Sequence, residues 1–114
     1  VSEARLVAHV EVSALLRQTQ AQGGFAVVLK KGEAEAGTIL VVLTENGRNT
    51  RVFERMPQLD GSRKWHCAKA QDADKPQDFT DYLARRQRQD HDMWIIELDI
   101  ANGERLIGLG ADAG

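Results

Sequence analysis

Histidine, cysteine and carboxylate side chains gather in two short runs, His66-Cys67 and Asp90-His91-Asp92. Imidazole, thiolate and carboxylate are the donors that transition metals take from proteins, so His66, Cys67, His91, Asp90 and Asp92 form a first candidate site. The spacing argues against it. No CxxC or HxxxH element anchors the set, and adjacent residues on a strand point to opposite faces, so His66 and Cys67 could not easily share one ion. Glu97 and Asp99 form a second candidate, since paired carboxylates bind Mg²⁺ or exchange protons. With His66 they would make a small metal-assisted hydrolase. No lysine or third carboxylate is placed beside them by the sequence, and such alternating acids more often form the solvent face of a strand. Ser13, Ser62 and Cys67 lack a nucleophile elbow. The Gly32 to Gly37 loop lacks a Gly-Lys-Ser/Thr ending, and Glu33 and Glu35 would repel phosphate. The expectation is a protein without metal, cofactor or assigned catalytic residue, more an interaction module than an enzyme.

The basic residues offer a different chemistry. Between Arg51 and Lys69 stand Arg51, Arg55, Arg63, Lys64 and Lys69 against Glu54 and Asp60, and Arg85, Arg86 and Arg88 follow. Arg51, Arg55, Lys64, Arg85 and Arg88 could hold phosphates while Trp65 stacks on a base, which makes a nucleic-acid or anionic-ligand binder the alternative reading. Against it, 15 Lys plus Arg are outweighed by 17 Asp plus Glu, a net charge of −2. That is far from the basic footprint of a dedicated nucleic-acid protein. Asp74, Asp78 and Asp81 followed by arginines also complement a helix macrodipole, and Asp81 with Arg85 makes an i, i+4 pair.

These residues must be positioned by a chain of 114 residues, 42% hydrophobic and 28% charged. That length buries enough surface for one core, so a single domain over residues 1–114 is expected, with ends frayed at about 1–4 and 110–114. The lone Cys67 gives no sign of an oxidising compartment. No apolar run reaches the roughly 18 residues of a membrane span. Val1 to Arg5 does not have a signal-peptide pattern. A cytoplasmic protein without a membrane partner fits best.

The periodicities then place the elements. Arg5 to Val10 reads as a short strand running into a helix, where Val12, Leu15, Leu16 and Thr19 recur at helical spacing before Gly23-Gly24. Phe25 to Lys31 and Thr38 to Thr44 read as strands joined in a hairpin by the Gly32 to Gly37 loop, and their continuous apolar runs imply cover on both faces. Asn46-Gly47 suits a type I′ turn, which would set Glu45 against Arg48, Leu43 against Thr50, Val41 against Val52 and Leu40 against Phe53. Asn49 to Arg55 follows, with Arg51, Phe53 and Arg55 on one face. Asp60-Gly61 turns the chain into Arg63 to Ala68, placing Arg55 beside His66. Pro76 opens a second helix with Phe79, Tyr82, Leu83 and Arg86 on one face. Met93 to Asp99 is a strand, and Asn102-Gly103 returns it as a final hairpin through Arg105 to Leu109.

The predicted fold is α+β: a mostly antiparallel sheet of six or seven strands in the order β-α-β-β-β-β-α-β-β, with two helices packed on one face. Such a sheet leaves strongly apolar strands uncovered on its other face. Either the sheet curls on itself or a second copy packs against it; the second option makes a homodimeric interaction or assembly module, using an uncovered sheet face or edge, the first functional expectation.

Ala14-Leu15-Leu16-Arg17, Ala36-Gly37-Thr38-Ile39-Leu40-Val41, the Trp65 strand, Tyr82-Leu83-Ala84-Arg85-Arg86 and Asp92-Met93-Trp94-Ile95-Ile96-Glu97-Leu98 occur in that order. In this the chain resembles a domain-of-unknown-function family of small alphaproteobacterial proteins, from about Arg5 to Arg105. The resemblance implies a small bacterial protein with no established activity, and it carries over no catalytic residue. Asp90-His91-Asp92 stands where the family's turn would have Asp-Pro-Asp.

Overall fold

The structure, a computed structural model, describes residues 7–57 and 59–109. The fold is α+β. It comprises helices α1 (Ala8–Ala21) and α2 (Pro76–Gln89), strands β1 (Phe25–Lys30), β2 (Ile39–Glu45), β3 (Arg48–Pro57), β4 (Arg63–Ala70) and β5 (Trp94–Asp99), and the short 3₁₀ helix η1 (Gly103–Ile107). The strands form one five-stranded sheet in the order β1-β5-β2-β3-β4. It is mixed: β5 runs parallel to β2 and antiparallel to β1, while β2, β3 and β4 form an antiparallel meander.

Three sequence expectations are corrected by this topology. The sheet has five strands rather than six or seven. Ala8, His9 and Val10 belong to α1, because the buried stripe Ala8, Val12, Leu15 and Thr19 extends the helical period back to the first turn; Arg5, Leu6 and both expected frayed ends lie outside the described residues. The chain after Asn102 also forms no strand. Asn102 (φ 55°) and Gly108 (φ 82°) bracket η1 in left-handed conformations, and Ile107, with Leu106 and Leu109 beside it, packs into the core from a helical turn.

The two expected hairpin strands, Phe25 to Lys31 and Thr38 to Thr44, are not neighbours, since β5 lies between them. Trp94, Ile95, Ile96 and Leu98 are all buried, a pattern that demands cover on both faces and a central place. The loop from β1 to β2 must therefore cross the entrance of β5. Glu33 N donates to Asp92 O at 2.8 Å, Trp94 N to Thr38 O at 2.7 Å and Trp94 Nε1 to Glu33 O at 2.8 Å. Gly32 and Gly37 are needed where this crossing backbone lies against Asp92 to Trp94. The same loop caps α1, Ala8 N donating to Glu35 O and His9 N to Ala34 O, so the helix needs no capping box.

The helices lie on opposite faces, which overturns the expectation of both on one. Ala8, Val12 and Leu15 of α1 and Ile107 of η1 join Ile39, Val41, Leu43, Phe53, Trp94, Ile96 and Leu98 in one core cluster. Phe79 of α2, flanked by Tyr82 and Leu83, joins Leu40, Val42, Val52, Met93 and Ile95 in the other. The uncovered face that motivated a second copy is thus occupied over β2, β3 and the start of β5.

The Asn46-Gly47 turn forms as expected, with both residues at positive φ, and Glu45 pairs with Arg48. Beyond it the register slips by one: Leu43 faces Arg51, Val42 faces Val52 and Val41 faces Phe53. Asn49 (φ 56°) is the extra residue, its left-handed backbone taking up a bulge. On the next pair Arg55 faces Trp65 rather than His66, which instead faces Glu54.

Candidate functional site

The basic strand β3 is largely committed within the molecule. Arg51, 6% exposed, donates from Nη2 and Nε to the two carboxylate oxygens of Glu104 on η1 at 2.7 and 2.9 Å, and from Nη1 to Asn49 O. Glu45 Oε2 lies 3.5 Å from the same Nη2. Arg55 makes a two-pronged bond to Glu11 of α1 at 2.7 and 2.8 Å and lies 4.7 Å over the Trp65 ring. On the opposite face Glu54 accepts from Arg86 of α2, which also donates to Tyr82 Oη. The Glu54 hydrogen bond raises the Arg86 pKa above its ordinary range. Paired two-pronged contacts of this kind are directional and charge-assisted. Alternate residues of β3 therefore fasten η1, α1 and α2 to the sheet, and a phosphate reaching Arg51 or Arg55 would have to displace a carboxylate. The other proposed anion ligands, Lys64, Arg85 and Arg88, are exposed. Lys64 is on edge strand β4, and Arg85 rests 5.7 Å from the Tyr82 ring centroid on α2.

The metal candidates are dispersed. His66 is on β4 and Glu97 and Asp99 are on β5, three strand spacings apart, or about 14 Å. His66 and Cys67 are both exposed, on opposite faces of β4. Asp90 accepts from Asp92 N at 3.0 Å, and His91 O accepts from Lys30 Nζ at 2.6 Å, so Asp90-His91-Asp92 is the turn that leads into β5. Among the described residues no three His, Cys, Asp or Glu side chains are placed to hold one metal ion.

The two sheet edges differ in chemistry. Edge β4 carries Arg63, Lys64, His66 and Lys69, the charged residues that discourage strand-to-strand association. Edge β1 carries no charge from Phe25 to Leu29. On it Phe25 is 75% exposed, Val27 49%, Val28 37% and Leu29 49%. Lys30, at its end, folds back toward β5, donating to His91 O and Met93 O. The apolar run read as a buried central strand is the bare edge of the sheet. Phe25 to Leu29 and Ile39 to Leu43 are alike in composition, so their sequences do not distinguish an edge strand from a central one.

The family model described as a protein of unknown function (DUF1491) matches residues 6–108. A crystal structure of a DUF1491 family protein from Caulobacter crescentus CB15 is similar with a TM-score of 0.79 and 28% identity, covering 91% of this chain and 96% of that one. An NMR structure of a DUF1491 family protein from the same bacterium gives 0.77 and 29%, covering 93% and 96%. The solution structure of protein Atu0922 from A. tumefaciens gives 0.74 and 28%, covering 93% and 95%. No curated protein matches the chain. Among the described residues no helix is long and apolar enough to cross a membrane.

Proposed function

We propose, for a chain that belongs to the DUF1491 family of proteins of unknown function, that it is a non-enzymatic assembly module whose β1 edges pair to form a homodimer. The observation that carries this reading is the uncharged, exposed edge strand from Phe25 to Leu29, set against a β4 edge guarded by basic residues. An unpaired strand edge presents a row of N–H and C=O groups that another strand satisfies, and apolar side chains on it favour a partner over water. A second copy is the fitting occupant. Two identical uncharged strands related by a two-fold axis run antiparallel and set apolar side chains against apolar side chains along the pairing. Of the uncovered face or edge expected from the sequence, the second face is packed by α2 over β2, β3 and the start of β5, so the edge supports the reading. The cytoplasmic placement is kept on the lone Cys67.

Strand pairing over this length buries less than the roughly 800 Å² per partner of a standard interface, so association is concentration-dependent. Multi-angle light scattering across micromolar to millimolar protein should show the mass rising from monomer toward dimer. Val27→Lys places a charge on the bare edge at a surface position and costs the fold within about 0.5 kcal/mol. It should hold the protein monomeric at every concentration. A wild-type chain that stays monomeric at millimolar concentration, or a Val27→Lys variant that dimerises equally, overturns the proposal.

A further inference from the structure

A second feature lies at the opposite end of β5 from the loop crossing. Strands β2 and β5 are parallel neighbours, and near their carboxyl ends Thr44 lies beside Asp99. The chain leaves β2 through Asn46-Gly47 toward β3 and leaves β5 toward η1. Where chains depart in different directions from adjacent parallel strands a crevice opens, and such crevices are favoured ligand sites. Here it is a cleft of about 420 Å³, within the range of small-molecule sites. The end of α1 and the start of β1 close one side, with Gly24 lying so near Asp99 O and Ile100 Cβ that an added Cβ would sit 2.8 Å from both.

The lining sets the chemistry. Asp99 Oδ1 accepts from Asn46 N at 2.8 Å, which aims the carboxylate, and Asp99 makes no ion pair among the described residues. Phe25 is the direct cross-strand neighbour of Asp99, so its 75%-exposed ring stands on the same face, about 5 Å from it between Cβ atoms. Glu45 also lines the cleft, and its carboxylate is engaged by Asn102 N and Arg51. The cation lining the cleft, Arg105, is turned onto Gln22 Oε1 and Ala101 O. An acceptor carboxylate beside an open aromatic face is the pairing that binds organic cations, through a charge-assisted hydrogen bond and a cation–π contact together.

We infer that this cleft is a binding site for a small organic cation of the alkylguanidinium or alkylammonium class, with Asp99 as the counter-charge and Phe25 as the platform. The inference does not rest on pairing of β1, and the test separates the two because it can be run at micromolar protein, where the chain is monomeric. Agmatine titrated into ¹⁵N-labelled protein should shift the amides of Phe25, Asn46 and Asp99 to Ala101 in one saturable phase. Asp99→Asn keeps an oxygen for Asn46 N while removing the charge, and should weaken binding at least tenfold. Phe25→Ala, at an exposed position that leaves the fold intact, should weaken it severalfold. N-butylurea, the neutral counterpart, should not bind. Absence of saturable shifts at millimolar agmatine overturns the site. So does equal binding by a folded Asp99→Asn, by Phe25→Ala or of N-butylurea, or a response of the same amides to inorganic phosphate instead.

Discussion

Gly32→Ala should destabilise the protein by about 3 kcal/mol or more in urea denaturation, although it adds a single methyl group to a loop. The new Cβ would collide with Asp92 O and lie 2.7 Å from both the Met93 carbonyl carbon and Trp94 Cδ1. Two of these are backbone atoms of the segment entering the central strand β5, and the third belongs to a tryptophan that is 5% exposed. None can yield without moving the loop that carries Glu33 O to Trp94 Nε1 and Ala34 O and Glu35 O to the first turn of α1. Gly47→Ala is the contrast. It has open space around it but a φ of 78°, so its cost should be the left-handed penalty of about 1–2 kcal/mol. A Gly32→Ala protein as stable as wild type would mean that the crossing loop does not press on β5.

Glu104→Ala should cost about 2–3 kcal/mol, below the usual range for breaking a buried pair because Glu104 is partly exposed and Glu45 remains near Arg51. The loss comes from leaving a guanidinium whose side chain is 8% exposed with Glu45 at 3.5 Å and Asn49 O. Replacing both partners, Arg51→Met with Glu104→Leu, should recover most of it, as removal of a whole buried pair often does. A single-variant cost below about 0.5 kcal/mol would place the pair with ordinary surface bridges. The same contact sets an acid limit. Burial pushes the Glu104 carboxyl up, but the hydrogen bonds and charge of Arg51 outweigh it and hold the pKa below the ordinary 4.5. With a depressed folded value, the contribution is complete above the unfolded pKa and is lost as pH falls through the folded one. Glu104→Gln should accordingly flatten the stability profile below pH 4.5.

Much of the local structure was legible in the chain. Pro76 with Phe79, Tyr82 and Leu83 marked α2 and its buried face, and Asn46-Gly47 marked its turn, because each depends on neighbours within a few residues. Sheet order was not. Phe25 to Leu29 and Ile39 to Leu43 carry the same kind of side chain, yet Ile39 to Leu43 of β2 are all buried and β1 is an edge, a distinction made by β5 entering between them from more than fifty residues away. The one-residue slip at Asn49 escaped for a related reason: the turn fixes pairing only as far as the first bulge. The strand alternation that sets Arg51 and Arg55 on the same face as Phe53 is legible in the sequence. Their partners Glu104 and Glu11 stand 53 and 44 residues away in sequence, so a local count of charge does not show that these arginines fasten η1 and α1 to β3.

The pairing of β1 with a second copy is tested most directly by isotope-filtered NOE spectroscopy on a mixture of ¹³C,¹⁵N-labelled and unlabelled protein at millimolar concentration. Cross-copy contacts between backbone protons of Val27 and Val28 are expected, together with slowed exchange of the β1 amides that point away from β5. Their absence in a sample that scatters as a dimer, with cross-copy contacts at β4 or α2 instead, would contradict the account.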